Sequence, residues 1–186
     1  MDKRKRHGTQ IGRPEDRSDI SIRPMRKPDI DGIIGLHAEF EQYLLCLDPN
    51  RRCKSDEEFR GILIRDGFGR GRAFYGFVAE RLTKKIGYIL YHFGYDPDEM
   101  EGRVVYVIDL FVTAVERKLG VGSLLVEEVA SMCRRSNAID IYFGVWTRNR
   151  SARAFYKRIG ASEKDDLPFM HCERAKWPKE VREQSH

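Results

Sequence analysis

The sequence predicts an α/β (α+β) domain built on a mixed, mostly antiparallel central sheet with helices on both faces. Three observations carry that prediction. Segments of helical period alternate with segments of strand composition along the chain. Three of the strand segments crowd between residues 73 and 113, and close spacing favours antiparallel neighbours. The third of them, "RVVYVIDLFVT" (103–113), is apolar at almost every position, as a central strand covered on both faces would be.

The elements follow in order. "DISIRP" (19–24) alternates and stops at Pro24, which reads as a strand. Pro28 suits the first turn of a helix, and Ile30, Ile33, Ile34, His37, Phe40 and Leu44 then recur at helical spacing. "DPNRRCK" (48–54) is a loop. Ser55 stands before "DEEFRGILI" with Glu58 three positions on, the pattern in which cap and third helical residue satisfy each other's backbone amides. This second helix should end near "DGFGRG". Strands are expected at 73–80, 85–95 and 103–113, the last two joined by the acidic loop "DPDEMEG". A helix over about 120–135, a strand "AIDIYFGVW" (138–146) and a helix over about 150–159 come next. Asn149 is the N-cap of that helix and Gly160 its C-cap. The last strand is expected over "FMHCERAKW" (169–177). The folded domain is thus placed at 19–177, between a basic tail (1–18) expected to be disordered and a polar tail (178–186).

The bulk numbers bound the function. A chain of 186 residues suits one domain with a sizeable core. No apolar run approaches the ~18–20 residues that span a bilayer. The first residues are polar throughout, unlike a signal peptide. The expected location is the cytoplasm, with no membrane partner. Cys46, Cys53, Cys133 and Cys172 show no Cys-x-x-Cys spacing and no His pair accompanies them, so reduced thiols and no metal are expected. Cys133 falls on the core side of its helix. Of the net charge of +5, much sits in the tail, at Lys3, Arg4, Lys5, Arg6, Arg13 and Arg17. The folded part is near neutral, and a nucleic-acid partner is not expected.

The chemistry begins at "RKLGVG" (117–122), which follows a buried strand and opens a helix. The first amides of a helix lack internal partners and the macrodipole makes them an anion site. Glycines at 120 and 122 keep side chains out of the way of a diphosphate, and Arg117 and Lys118 add positive charge. The stretch is neither a dinucleotide fingerprint nor a P-loop. Close packing of the helix on the strand is the other use for such glycines. The second stretch, "NRSARAFYKRIGA" (149–161), is a capped amphipathic helix with Ala152, Phe155 and Ile159 as its apolar stripe and Tyr156 near the seam.

Taken together, Arg-x-x-Gly-x-Gly at 117–122 and Asn-x-x-Ala-x-x-Phe-Tyr-x-x-x-Gly-Ala at 149–161 resemble the GNAT superfamily of acetyl-CoA-dependent N-acetyltransferases, over all but the first ~18 residues. "DGFG" (66–69), "FY" (74–75), "VAE" (78–80), "GYILYHFGYDP" (87–97) and "FYKRIGAS" (155–162) look like the diamine (spermidine/spermine) branch. The resemblance implies an acetyl-CoA donor, a small-molecule amine acceptor and a homodimer. It implies that the amides of Arg117, Lys118, Leu119, Gly120, Val121 and Gly122 bind the pyrophosphate. The pantetheine arm would pair with the backbone of Leu110, Phe111 and Val112. Asn149 matches a cofactor contact, Tyr156 the proton donor to the departing thiolate, and Asp109 and Tyr43 retained acceptor-binding positions. The chain departs from the branch at Ile108 and Leu44, where the branch has glutamates, and at Asp98, where it has tryptophan.

The chemistry needs those residue types. An alkyl amine with a pKa near ~10 must lose a proton before it attacks a thioester, so a carboxylate or a water chain ending at one must accept it. A backbone N–H, at Phe111 or Val112, would steady the carbonyl oxygen. A carboxylate at 109 inside so apolar a strand calls for a partner or a function. Asp96, Asp98, Glu99, Glu101, Glu39 and Glu41 would draw a cationic amine if they faced the cleft. Acetylation of a protein, amino-acid or aminoglycoside amine is the alternative, as is an acyl-CoA-binding module without turnover.

Overall fold

The computed structural model describes residues 19–96 and 101–164. The alternating opening segment forms β1 (Ile20–Pro24). A short turn holding Pro28 leads into α1 (Ile30–Leu47). α2 (Asp56–Ile62) starts at the expected reciprocal cap: Glu58 N donates to Ser55 Oγ at 3.1 Å, and Ser55 N donates to Glu58 Oε2 at 2.8 Å. One wide turn, Leu63–Gly67, continues it. Then come β2 (Tyr75–Arg81), β3 (Lys84–Tyr95), β4 (Arg103–Val112), α3 (Val121–Arg135), β5 (Asp140–Phe143) and α4 (Arg150–Arg158).

The sheet order is β1-β2-β3-β4-β5. Every neighbouring pair is antiparallel except β4 and β5, which are parallel and joined through α3. Successive side chains of a strand point to opposite faces, and the two faces feed two cores. Ile33 and Ile34 of α1 and Phe59 of α2 pack on Val78, Tyr88, Leu90 and Phe111. Val121, Leu125, Val129 and the expected Cys133 of α3 pack on Phe77, Ala79, Ile89, Tyr91, Val105 and Val107. No helix among the described residues is long and apolar enough to cross a membrane.

One expectation needs correcting. Residues 103–113 are not covered on both faces throughout. Val104 and Val105 are fully buried, but Ile108 is 45% exposed. The cause is a β-bulge: Leu90 pairs with Asp109 and Tyr91 with Val107, leaving Ile108 without an opposite number. β4 pairs with β5 only from Val104 to Val107. The expected strand over 138–146 shortens accordingly to Asp140–Phe143. Residues 108–112 therefore have β3 on one side and an open edge on the other, among the described residues. The bulge also shifts the alternation, so that Asp109 joins Leu90 on the α1 side of the sheet. The expected strand over 169–177, both tails, Cys172 and residues 97–100 lie outside the described residues.

Candidate active site

The open edge of β4 faces Gly144, Val145 and Trp146, the stretch that leaves β5, across a cleft of about 850 Å3. Phe40, Tyr43 and Leu44 of α1 close one wall, and the starts of α3 and α4 close the other. The cleft gathers most of the residues singled out in the sequence: Tyr43, Asp109, Leu110, Phe111, Val112, Arg117, Lys118, Gly120, Gly122, Asn149 and Tyr156 all line it. Leu119 and Val121 do not. Their side chains turn into the α3 core, which leaves only their backbone for the part the resemblance gives them.

The backbone of β4 offers polar groups to this cleft. Thr113 N donates to Ile86 O at 3.0 Å, on the β3 side. By the two-residue alternation of a strand, the N–H and C=O of Phe111 also face β3, and those of Leu110 and Val112 face the open edge. Arg117 Nε donates to Val112 O at 2.9 Å, as that direction requires. Of the two amides considered for the oxyanion, Val112 is the one on the cleft side.

The turn beyond β4 explains its glycines separately. Gly120 is the N-cap of α3 at φ +87°, a left-handed conformation that glycine alone adopts without strain. Gly122 has ordinary backbone, but a Cβ there would stand 3.4 Å from the Phe155 ring of α4. The first amides of α3 have no partner within the helix, no acidic residue sits in its first turn, and Lys118 lines the same cleft as Gly120 and Gly122. Arg117 lies over the Tyr43 ring at 4.9 Å and the Phe111 ring at 5.4 Å.

Asp109 and Tyr156 carry the titratable chemistry. Burial pushes the Asp109 carboxyl up to about 6; Lys54 and Arg51 pull it back and Glu41 pushes it further. Its carboxylate has no hydrogen-bond or ion-pair partner among the described residues. The ring of Tyr156 stacks on Phe143 with centroids 4.5 Å apart. Burial, and then the charge of Asp109, push its phenol up to about 12. The phenol thus stays protonated beside a carboxylate that can be ionised at neutral pH.

Tyr43 and Asn149 satisfy each other. Tyr43 Oη donates to Asn149 Oδ1 at 2.8 Å, and the same oxygen accepts from Ala152 N at 3.1 Å as the cap of α4. The acidic group looked for around the cleft does not assemble among the described residues. Thr113 Oγ1 donates to Glu39 at 2.6 Å, Tyr142 Oη donates to Asp96 at 2.9 Å, and Glu41 is buried against Arg51. Of the carboxylates that do line the cleft, Glu116 pairs with Arg81 at 2.9 Å, which leaves Asp109. His37 is a buried helix residue, with Nδ1 3.3 Å from Tyr88 Oη and Nε2 3.2 Å from Glu41.

Sequence reasoning passed over Arg51 and Trp146. Arg51 comes from the loop between α1 and α2, lines the cleft, and lies 5.5 Å from the centre of the Trp146 ring. A loop residue and the end of a shortened strand carry no periodic signal, so nothing local marked either.

Comparison with known proteins decides the family. Residues 37–161 match the family model "Acetyltransferase (GNAT) family". The chain belongs to that family. It is 29% identical over 163 residues to the thialysine N-epsilon-acetyltransferase of Bos taurus, covering 83% of this chain and 91% of the relative. It is 30% identical over 121 residues to the spermidine/spermine N(1)-acetyltransferase-like protein 1 of Homo sapiens, covering 60% of this chain and 17% of that protein. Among solved structures, an integron cassette protein of V. cholerae shares the fold at a TM-score of 0.71 with 22% identity, covering 83% of this chain and 93% of that one. An aminoglycoside N-acetyltransferase in complex with CoA does so at 0.66 with 17% identity, covering 82% and 94%. The resemblance read from the two motifs, to GNAT enzymes near the polyamine branch, therefore holds, as does the mixed sheet with helices on both faces.

Proposed function

We propose that this GNAT acetyltransferase moves an acetyl group from acetyl-CoA to the primary amine of a small molecule, one that enters as a cation, as a diamine or polyamine does at its reacting end. One observation carries the reading. An unpartnered carboxylate, Asp109, and a protonated phenol, Tyr156, share a cleft with an open strand edge and a glycine-bearing helix start.

Each part fits the donor. The open-edge groups of Leu110 and Val112 suit the amide-bearing pantetheine arm, which can add to β4 as an extended chain does. The amides from Arg117 to Gly122 and the charges of Arg117 and Lys118 suit its diphosphate. Acetyl-CoA supplies the acetyl group already activated as a thioester. Asp109 attracts the ammonium of the acceptor, and in its ionised form accepts the proton that the amine must lose. The Val112 N–H faces the space where negative charge develops on oxygen. Tyr156 Oη holds a proton for the departing sulfur. No covalent link to the protein is required.

The test is thiol release from acetyl-CoA with spermidine, putrescine, thialysine, lysine, a small aminoglycoside and a basic peptide, on wild type and Asp109→Asn. Turnover on one cationic amine, lost in the variant, is expected. Silence across the panel with acetyl-CoA still bound would move the reading to an acyl-CoA-binding module. The resemblance also supports a cytoplasmic homodimer with its domain at 19–177, and sedimentation equilibrium would test the dimer.

A further inference from the structure

The place where β4 and β5 part leaves apolar surface in the open. Val107 and Phe143 make the last pair of the two strands, and Ile108 and Gly144 are the first residues beyond it. Ile108 is also the residue that the bulge leaves without an opposite number on β3. It lines the cleft next to Asp109 in the chain and is 45% exposed. Trp146, on the other arm of the fork, lines the same cleft and is 37% exposed. Large apolar side chains standing open in a cleft are surface suited to an apolar ligand. The charges nearby are already taken up. Among the described residues, Asp109 is the one cleft carboxylate without an ion pair, since Glu116 is held by Arg81. The Arg51 guanidinium is bound to both oxygens of Glu41, at 3.0 and 2.9 Å. Arg51 and Arg148 lie 5.5 and 5.3 Å from the centre of the Trp146 ring, each with its own carboxylate, Glu41 and Asp48. That ring already carries two guanidinium groups, so an ammonium laid on it would meet like charge.

We propose that the acceptor is a monoamine with an apolar body, an alkyl- or arylalkylamine. Its one ammonium meets Asp109, and its hydrocarbon lies along Ile108 and Trp146. A second ammonium at the far end finds no second unpaired carboxylate among the described cleft residues, and a carboxylate there finds Arg51 already engaged. Either group would lose water against apolar surface without gaining a partner. The hydrocarbon of a monoamine gains by the same contact. This rests on the acetyltransferase reading and narrows its acceptor.

The experiment measures thiol release from acetyl-CoA with hexylamine, cadaverine and 6-aminohexanoate, and follows acetyl-CoA binding by calorimetry. Hexylamine and cadaverine have one length and differ by a methyl group in place of an ammonium. Wild type should favour hexylamine over each of the others in kcat/KM by about tenfold or more, a discrimination within reach of an apolar pocket. Ile108→Glu sets a carboxylate at a position that is already exposed, and should lower kcat/KM for hexylamine and raise it for cadaverine. Trp146→Ala should narrow the gap between those two amines. Equal use of the three acceptors, preference for cadaverine or 6-aminohexanoate, a parallel change in all on Ile108→Glu, or an unchanged gap in Trp146→Ala overturns the proposal. Turnover of a doubly charged acceptor without hexylamine also overturns it and leaves the acetyltransferase reading standing. Silence on all three with acetyl-CoA bound, or failure to bind acetyl-CoA, removes that reading and this one together.

Discussion

Tyr43 donates a 2.8 Å hydrogen bond to Asn149 Oδ1, joining α1 to the cap of α4 across 106 positions of sequence. The cap oxygen also holds Ala152 N. Two walls of the cleft are thereby fixed to each other, and α4 presents Tyr156 from a fixed start.

That bond makes a stability prediction. Tyr43→Phe should cost about 1 kcal/mol, the usual net worth of one hydrogen bond. Asn149→Ala should cost about 1–2 kcal/mol, because it removes the cap as well. The double variant should lose less than the sum, by about 0.5–1 kcal/mol. Urea unfolding of the four proteins checks this, and strict additivity would count against the contact.

Tyr156→Phe separates chemistry from packing. The ring's stacking on Phe143 survives the change, so stability and acetyl-CoA affinity should hold. The proton at Oη is lost, and kcat should fall about 10–100-fold, within the range of a general acid. Equal loss of acetyl-CoA binding by calorimetry would assign the hydroxyl a structural part instead.

Asp109 should cost stability where it serves activity. Its folded pKa of about 6 stands above the ordinary 3.8. A raised carboxyl binds more protons folded than unfolded between those values, so stability falls as pH rises from about 4 to 6, and the penalty is complete above 6. Asp109→Asn should therefore be more stable than wild type at pH 8, by up to about 3 kcal/mol for a shift from 3.8 to about 6, and the difference should shrink toward pH 4. Wild-type kcat/KM should fall as pH drops through about 6, when the carboxylate protonates. An unchanged melting difference across that range would show that the group is not strained.

The sequence made the elements and the cleft's chemistry legible to different depths. The Ser55 cap, the α3 start and the Asn149 cap were readable because each is a constraint among neighbours in the chain. The bulge at Ile108 was not: "YVIDL" contains no mark of an extra residue, and only pairing with β3 reveals it. The shortening of β5 has the same origin, since composition tells an extended segment from a helix but not a paired strand from a splayed one. Long-range pairs were invisible as well. Glu39 and Glu41 could be read only as acids of α1 that would draw a cationic amine if they faced the cleft, and their partners Thr113 and Arg51 belong to a turn and a loop. Asp109 stood out because an acid in an apolar run is costly wherever it ends up.

The two glycines of the turn should answer differently to one substitution. Gly120→Ala places a Cβ on a residue at φ +87° and should destabilise by about 1–2 kcal/mol. Gly122→Ala meets the Phe155 ring at 3.4 Å and Val112 Cγ2 at 4.0 Å, both ordinary contacts. Its stability should change by less than about 0.5 kcal/mol, as for a surface substitution. Its methyl group nonetheless stands at the first turn of α3, where the diphosphate is proposed to rest, so KM for acetyl-CoA should rise about tenfold or more with little change in melting temperature. Thermal unfolding and steady-state kinetics on both variants distinguish the roles. A Gly122→Ala protein that keeps its KM would place the diphosphate elsewhere and leave that glycine to helix packing.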